Sequence, residues 1–522
     1  MKGPNWLDRA VGWISPQAGL NRLEARVRTA SALQAYEAAA ETRRTAGWRT
    51  DQRGPNTEVG YSLGKIRARA RDLSTNNSWG NKAVRAWTTR VVGPGILPKP
   101  MKMGVNKRDS EIAMGTWLDH AETPGIDPAG EFSAYGVQSM TMREMVDAGE
   151  GLIVRRWLSD GQQRAQGVSV PYQVQCLEPD YLDTFKHEKL EDGGYIIQGV
   201  EYGKAGNKRA FWLYPEHPGD FYGIHGSNFS QSQRVPAVDV IHLRRATRAG
   251  QVRGVPWGAS CLLTLRDLDD FTDAELHRQR IAACFTAFVS DAQNLGSDGS
   301  YGVALPGAPG VNPNEYNELD SVGKLQPGAI KVLPPGRTIH LASPPTTDGF
   351  PDYVRLTLHQ IAAGYGTTYV ALTGDLSDAN YSSGRMGHLD WAAEIECVQN
   401  LNVVPTVCAG LWRWHNEALL ASGQIAKPVP ARWSVPKRPM VDPQKETTSL
   451  KEQVQAGFVS LSEAQRQVGQ EPEEILRELA EDKRRAVNLD LELSVFQAPP
   501  GTVVDQGGSE PDEEKESSET TA

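Results

Sequence analysis

The sequence predicts an α+β protein built from more than one packed unit. Three observations indicate this class: helical spacing in the N-terminal segments, a central block of short β-branched and aromatic runs between residues 149 and 243, and a return to helical spacing after Gly258. The chain has 522 residues, which exceeds the size at which a single hydrophobic core keeps growing. We therefore expect at least two packed units.

The N-terminal part predicts two helices, over residues 21–48 and 63–92, the second interrupted near Asp72, Asn76 and Asn77. Basic residues far outnumber acidic ones between residues 21 and 90, so this segment is a candidate surface for a polyanion. The plainer interpretation, which we favour, is the solvated face of surface helices, with i,i+4 ion pairs using part of the charge.

The central block predicts a largely antiparallel sheet, because Gly, Pro and Asp turns separate its runs. A helix over residues 258–289 follows, about 32 residues or roughly 48 Å long at 1.5 Å per residue. A solvated or channel-lining face is the favoured interpretation of the acidic stretch in its middle, and metal ligands of a nuclease are the alternative. The acidic residues are Asp267, Asp269, Asp270, Asp273 and Glu275.

The second half alternates loops and helices. A Gly/Pro-rich block at 294–348 carries short strand candidates, and helices are predicted at 351–363 and 385–420. Ser382 or Ser383 can cap the second of these, and Pro405 should kink it because proline removes a backbone donor. A Pro-rich crossing at 427–439 leads to two short helices, at 445–456 and 462–485.

Composition excludes several classes of protein. The net charge is −9, which opposes tight DNA binding. The first residues lack the apolar core of a secretory signal, so we expect synthesis in a cytoplasm. The five cysteines are scattered and predict neither a disulfide framework nor a zinc site, so we interpret them as core residues. The last fourteen residues are acidic and predict a disordered tail.

No motif predicts catalysis, a cofactor or a metal. The loop at 372–384 lacks the Lys-Ser/Thr of a Walker A motif, and the chain has no G-x-S-x-G elbow. The ten histidines form no H-x-x-x-H pair, so His242, His359 and His415 are interpreted as core or cap residues. Composition by itself thus predicts a soluble, multi-domain, non-enzymatic assembly protein.

An ordered series of short segments resembles the lambda-type portal family of tailed bacteriophages. Each segment is weak alone, and their order and spacing from about Ser62 to Asp482 make the resemblance specific. The segments are RARDLSTNN at 69–77, VVGPGI at 91–96, Gly149-Glu150, LEPD at 177–180, GVEY at 199–202, VPAVDVIHL at 235–243, RAGQVRGVPW at 248–257, LTGD at 372–375, NYSSGR at 380–385 and VDPQKE at 441–446.

The resemblance implies a portal fold with a wing, a two-helix stem, a clip and a crown. It would place the wing at 1–257, stem helix 1 at 258–289, the clip at 290–350, stem helix 2 at 351–372, the tunnel loop at 373–384, the long wing helix and crossing at 385–438, a crown-like helical region at 439–500 and the disordered acidic tail at 501–522.

The resemblance also implies a function: a ring of twelve subunits at one capsid vertex, through which double-stranded DNA enters and leaves without sequence readout. The implied partners are the terminase large subunit, head-completion or adaptor proteins, and the major capsid and scaffold proteins, with no membrane and no cofactor. The implied location is the virion, after assembly in the host cytoplasm. The acidic stem would repel DNA. The tunnel-loop residues expected to touch its backbone are Asn380, Tyr381, Ser382, Ser383 and Arg385.

Two rivals to this interpretation remain open from the sequence. One is a metal-dependent nuclease or other processing enzyme of the packaging apparatus, with Asp267, Asp269 and Asp273 as ligands. The other is a generic self-assembling scaffold without an axial channel.

Overall fold

The computed structural model describes residues 6–33, 42–101, 106–220, 231–284, 349–377, 381–436, 443–467 and 472–489. The chain divides into two compact units, Met1–Glu58 and Val59–Ala522. Within the described ranges, no helix combines the length and the apolar character that a membrane span requires. The strand candidates of the Gly/Pro-rich block and the acidic tail lie outside these ranges.

The N-terminal helices differ in part from the prediction. The chain begins with α1 (Trp6–Ile14) and α2 (Pro16–Leu33), and residues 43–47 form a turn where a helix is predicted. The helix predicted over 63–92 is present as α3 (Pro55–Asn76) and α4 (Ser78–Val91). The break is at Asn77, whose side-chain oxygen accepts hydrogen bonds from the backbone N–H groups of Trp79 (2.9 Å) and Gly80 (3.1 Å) and so caps α4.

The predicted antiparallel sheet is confirmed, as two sheets with a separate two-stranded ribbon. The strands are β1 (Leu97–Pro100), β2 (Glu150–Trp157), β3 (Tyr172–Leu177), β4 (Glu188–Lys189), β5 (Tyr195–Ile197), β6 (Val200–Tyr202), β7 (Lys208–Leu213), β8 (Gln233–Pro236), β9 (Val240–Arg244) and β10 (Ala431–Ser434). Their orders are β3-β2-β9 and β4-β5-β6-β7-β8, and the ribbon pairs β1 with β10. Every pairing is antiparallel.

Three of the remaining helices, at 107–120, 134–147 and 160–166, were not predicted, whereas the helices after residue 258 follow the predicted order. A 3₁₀ turn at Trp257–Ser260 precedes α8, and α8 is described as far as Cys284. The helices are α5 (Lys107–His120), α6 (Ala134–Asp147), α7 (Asp160–Gln166), α8 (Leu262–Cys284), α9 (Phe350–Tyr365), α10 (Tyr369–Thr373), α11 (Tyr381–Val398), α12 (Ala409–Ala421), α13 (Pro443–Gln455), α14 (Leu461–Gln467) and α15 (Pro472–Asn488).

The long helix around Pro405 is continuous, and its turns widen at the proline. Residues Gln399–Cys408 form a π-helix between α11 and α12, in which the N–H of Ala409 donates to the carbonyl of Val404. This i→i−5 bond spans the proline, which has no N–H of its own to donate. The predicted capping by Ser382 or Ser383 is wrong, since both residues lie inside the first turn of α11.

Three clusters of buried apolar side chains stabilise Val59–Ala522. The largest lies among α4, α5, α6, the three-stranded sheet and α12, the second lies between the two larger sheets, and the third joins α3 and α4 to α8 and α9. Full burial of one large apolar side chain stabilises a fold by about 1.5–3 kcal/mol. Fully buried members of the largest cluster include Trp87, Trp117 and Trp414. Leu152 and Val200 are fully buried between the two sheets, and Leu265 and Ile361 are fully buried in the cluster that joins α3 and α4 to α8 and α9.

Candidate functional site

Helices α8 and α9 pack side by side and run in opposite directions. Phe350, the first residue of α9, stacks on Phe271 of α8 with ring centroids 5.6 Å apart. At the other end of α9, Gly364 lies against Cys261, so closely that a Cβ at Gly364 would come within 2.6 Å of the Cys261 side chain. The two helices form the antiparallel pair expected of the predicted stem, and their base leaves no room for a larger residue at position 364.

The acidic stretch of α8 occupies more than one face of the helix. At about 100° per residue, Asp270 lies opposite buried Leu265 and Leu268, Asp273 lies about 60° to one side of it, and Asp269, four residues after Leu265, lies beside the buried face. Asp270 and Asp273 are exposed, and Asp269 is half-buried. Exposed Asp267 lies further round the helix. Four carboxylates are thus at or near the surface.

Basic side chains accompany these carboxylates. Arg266 lies 3.1 Å from an Asp270 carboxylate oxygen in an exposed i,i+4 pair. Glu275 is 7% exposed and accepts a 2.7 Å hydrogen bond from Nε of Arg278. The outer face of α8 therefore has mixed charge, and in this structure Glu275 does not present its carboxylate to solvent.

The segment between α10 and α11 is a short polar loop. Gly374 ends α10 at a φ of +76°, which favours glycine, and Asp375 follows. The Asp375 carboxylate accepts hydrogen bonds from the Ser377 hydroxyl (2.6 Å) and backbone N–H (2.9 Å) and from the Tyr369 hydroxyl (3.1 Å). The Ser377 bonds and the Tyr369 bond lower the pKa of Asp375. This residue therefore orders the loop by local bonds.

The predicted tunnel-loop residues fall at the edge of the described chain. Asn380 lies outside it, as do residues 378 and 379. Tyr381, Ser382 and Ser383 form the first turn of α11, and Arg385 follows them, half-buried.

A fully buried polar cluster surrounds Glu150. This carboxylate is fully buried at the start of β2. One oxygen accepts from the Nη2 of Arg67 and from Nε of Arg253 (2.6 Å), and the other accepts from Nε2 of His242 (2.7 Å) and the N–H of Gly254 (2.9 Å). All four bonds stabilise the charged form.

The electrostatics of the cluster follow from this geometry. Although burial raises the pKa of Glu150, the charges of Arg253 and Arg67 outweigh burial and hold that pKa well below its usual range. Burial lowers the pKa of His242 to about 4, more than the Glu150 carboxylate raises it. His242 is therefore neutral at pH 7 and donates its Nε2–H.

Arg253 connects Glu150 to the surrounding loops. Its Nη2 donates to the carbonyl of Pro179 (2.9 Å) and its Nη1 to the hydroxyl of Thr184 (2.9 Å). Next to it, a Cβ on Gly254 would meet the carbonyl oxygen of Gly149 at 2.0 Å. The cluster thus ties α3, β2, β9 and the segment leading to α8 into one contact.

A second ionic cluster surrounds Arg71 of α3. Its Nη2 lies 2.6 Å from Asp180, 2.8 Å from Glu178 and 3.8 Å from Glu144. Burial, and then the Glu178 carboxylate, raise the pKa of Glu144 to about 7. Among the described residues, one trio has the spacing of a metal site, Glu178, Asp180 and His217, with ligand atoms within 4.8 Å of one another. Arg71 already supplies positive charge to its two carboxylates.

Several sequence interpretations need correction at this level. Arg67 and Arg71 were part of the candidate polyanion surface, but Arg67 is buried on Glu150 and Arg71 is ion-paired. His242 and His415 are buried as expected, whereas His359 is exposed and stacks on Tyr369 with ring centroids 4.2 Å apart. Cys261 and Cys408 are buried, Cys176 is half-buried, and Cys397 is exposed because it lies on the outer face of α11. Helical spacing does not distinguish which polar residues face inward.

With the geometry established, comparison with known proteins decides the family. Residues 41–399, more than half of the chain, match the family model described as "Phage portal protein, lambda family". The chain belongs to the lambda family of phage portal proteins. The expected resemblance is therefore confirmed, and the portal chain is a structural protein of a non-enzymatic family, which removes the nuclease interpretation.

Two relatives agree with this family. The portal chain is 23% identical over 444 residues to a "Probable portal protein" of Halomonas phage phiHAP-1, covering 80% of each chain. It is 24% identical over 368 residues to the "Portal protein" of Escherichia phage N15, covering 65% of this chain and 66% of that protein.

Among solved structures, the portal chain overlaps with chains of gene transfer agent (GTA) particles. A neck of a native particle computed with C12 symmetry matches at a TM-score of 0.42 and 14% identity, covering 79% of this chain and 94% of that chain. A neck of an empty particle computed with C6 symmetry matches at 0.44, with the same identity and coverage. These overlaps are low, and the assignment depends on the family match and the two relatives.

Gly149-Glu150 is one of the segments that carry the family resemblance, but the sequence did not predict that Glu150 is the buried acceptor of this cluster. The signal was a buried acidic residue opening an apolar strand, followed about a hundred residues later by arginine and glycine at 253 and 254. Nothing in the spacing shows that these two segments meet.

Proposed function

We propose that the chain assembles into a ring of twelve copies at one capsid vertex, and that double-stranded DNA passes through its centre during packaging and ejection. The observation that carries the proposal is the family match over residues 41–399, which includes the antiparallel pair α8 and α9. The terminase large subunit, head-completion or adaptor proteins, and the major capsid and scaffold proteins are its proposed partners. Its location is the virion.

Within this function we assign the parts of the chain as follows. The sheets and N-terminal helices, residues 1–257, form the wing, α8 (within 258–289) and α9 with α10 (within 351–372) form the stem, and 385–438 forms the long wing helix and crossing. The clip, 290–350, lies almost entirely outside the described residues, as does the tail, 501–522. Residues 373–384 are the tunnel loop, and α13 to α15 belong to the crown-like region, 439–500.

Exposed apolar side chains on the two stem helices support assembly. Leu263 of α8 and Leu356 of α9 are each 70% exposed, Tyr353 is 46% exposed and Leu276 is 45% exposed. Leu263 and Leu276 are separated by about 140° around α8 at 100° per residue. In a head-to-tail ring each subunit uses two different patches, so apolar residues on two sides of one helix suit that arrangement.

The surface carboxylates of α8 are assigned to the channel. Asp267, Asp269, Asp270 and Asp273 would keep DNA phosphates from binding tightly, because like charges repel most strongly where water is partly excluded. We leave Glu275 out of this set because its side chain is buried, whereas Asp270, although paired with Arg266, is exposed. Polar contacts with the backbone are assigned to the tunnel-loop residues Asn380, Tyr381, Ser382, Ser383 and Arg385, without sequence readout.

Electron microscopy of the purified full chain tests the ring. At moderate salt and without nucleotide, class averages should show rings with a central hole wide enough for a DNA duplex. A chain that stays monomeric or dimeric at every salt concentration would overturn the proposal. Closed particles without an axial hole would favour a scaffold instead.

A variant set tests the channel surface. Replacing Asp267, Asp269, Asp270 and Asp273 together by Asn should leave the rings intact and increase the retention of DNA at low salt, because the repulsion is removed. The matched control replaces four exposed carboxylates outside α8, Glu111, Glu131, Glu188 and Glu191, by Gln. Equal DNA retention by the two variants would show that net charge, and not the α8 surface, controls the effect.

A further inference from the structure

The buried charge around Glu150 does not balance. Glu150 is one carboxylate, and it binds Arg67 and Arg253 directly. Two more cations, Arg244 and Lys208, lie nearby. The charge of Arg244 lowers the pKa of both His242 and Lys208, and the Glu150 carboxylate raises the pKa of Lys208. Four positive side chains therefore lie near Glu150, one of them the exposed Lys208. The Asp180 carboxylate also acts on Arg67 and His242 is neutral, so positive charge exceeds negative charge here.

Arg244 is positioned by strand register. It lies directly opposite Glu150 in the β2–β9 pair, so the two side chains leave the same face of the sheet. Glu150 already accepts four hydrogen bonds from other groups. The Nη1 atom of Arg244 is buried and has no hydrogen-bond partner. A buried guanidinium nitrogen without an acceptor costs free energy, so an anionic acceptor placed at Nη1 would stabilise this position.

Lys208 lies on the solvent-exposed side of the region around Arg244. It opens β7, lies opposite Tyr202 in the β6–β7 pair and is exposed. Desolvation by the surrounding protein, followed by the charge of Arg244, lowers the pKa of Lys208 to about 8. Within the described ranges, no carboxylate forms a salt bridge with Lys208 or Arg244. Tyr202 stacks on Tyr195 with ring centroids 5.3 Å apart and brings a hydroxyl group to this edge.

We propose that Arg244 and Lys208, with Tyr202 at the edge, form a phosphate-binding site between the two sheets. Arg244 is half-buried and supplies a planar fork of N–H donors with its Nη1 atom buried, and Lys208 supplies an exposed point charge, which is the combination that binds phosphate oxygens. A bound phosphate anion would offset part of the excess positive charge and give Nη1 of Arg244 an acceptor. The phosphate is either free or part of a nucleic-acid backbone, since both present anionic non-bridging oxygens.

Calorimetric titration of the full chain with inorganic phosphate at pH 7 and low salt tests the site. The Lys208→Gln variant should bind phosphate about tenfold more weakly, as expected for loss of one charge-assisted hydrogen bond. Lys204→Gln is the matched control, because Lys204 is an exposed lysine of the neighbouring β6–β7 turn. It should bind as the unmodified chain does. Arg244→Gln should lose binding further, with circular dichroism confirming that the variant is folded.

A second arm identifies the source of the phosphate. If a short DNA duplex competes with inorganic phosphate for binding to the unmodified chain, the phosphate bound at the site belongs to a nucleic-acid backbone. If the duplex does not compete, the site binds free phosphate. No phosphate binding by the unmodified chain, or equal weakening by Lys208→Gln and Lys204→Gln, would overturn the site. Electron microscopy of the Lys208→Gln variant tests ring assembly separately, because phosphate binding at this site does not depend on ring formation.

Discussion

The Glu150 cluster and the outer face of α8 use charged residues in opposite ways. Glu150, Arg67 and Arg253 are almost completely buried, and each makes specific hydrogen bonds. On α8, Asp270 and Arg266 are exposed and form one simple ion pair. Burial makes the loss of a partner costly in the first region, whereas water compensates it in the second. Charge therefore specifies structure at Glu150 and remains available for function on α8.

The largest effect is expected from Glu150→Gln. The variant leaves Arg67 and Arg253 buried without a counter-charge, which costs about 3–5 kcal/mol for a broken buried pair. Urea denaturation followed by tryptophan fluorescence should show a clearly lowered midpoint. Glu111→Gln, on the surface of α5, serves as control and should change the midpoint little. A similar midpoint in both variants would mean that the cluster contributes no more than a surface carboxylate.

A second, smaller loss is expected from Gly254→Ala. The new Cβ would lie 2.0 Å from the carbonyl oxygen of Gly149, so the backbone segment before α8 must move. Overpacking of this kind costs about 1–3 kcal/mol. Gly115→Ala is the control because no atom lies within 4 Å of a Cβ there and helix α5 favours alanine. Equal melting temperatures of Gly254→Ala and Gly115→Ala would contradict the close contact between Gly254 and the Gly149 carbonyl.

The Arg71 cluster, intermediate between the two regions, predicts a pH effect. Burial, and then the Glu178 carboxylate, raise the pKa of Glu144 from 4.5 to about 7, so the folded chain binds this proton more tightly than the unfolded chain. The contribution of Glu144 to stability therefore falls as pH rises from about 4.5 to 7 and is constant above that. Glu144→Gln should be more stable than the unmodified chain at pH 8 by up to about 3 kcal/mol, at about 1.4 kcal/mol per pKa unit, and equal to it at pH 4.

Urea denaturation at pH 4, 6 and 8 measures this effect. Glu122→Gln provides the comparison, because it replaces another partly buried glutamate of the same unit. A Glu144→Gln difference that does not change with pH would show that Glu144 is already ionised at pH 6.

The smallest effect is expected on α8. The Arg266–Asp270 pair is exposed and spaced i,i+4, which is worth about 0.3–0.5 kcal/mol. A double-mutant cycle of Arg266→Ala and Asp270→Ala measures this coupling, and it should shrink further at high salt. A coupling as large as the effect of Glu150→Gln would remove the distinction between the two regions.

Much of the architecture could be predicted because it depends on local pattern. The helix over 351–363, the long helix after residue 385 and the antiparallel strands between 150 and 244 all follow from apolar periodicity and turn residues. The β1–β10 ribbon was missed, because both strands are short, β1 contains two prolines, and the strands lie more than 300 residues apart. Cys397 and His359 were misplaced because helical spacing does not define which neighbours cover a helix face.

The sequence by itself determined the α+β class, the order of the central strands and of the helices after residue 258 and, through the order of its short segments, the portal family. Tertiary structure decided which charges matter to the fold. Arg67 and Glu150 are separated by 83 residues, and Arg253 follows Glu150 by another 103, so no local pattern links them. A salt bridge of this kind forms only when long-range packing removes water from all three side chains together, and that condition is a property of the folded chain.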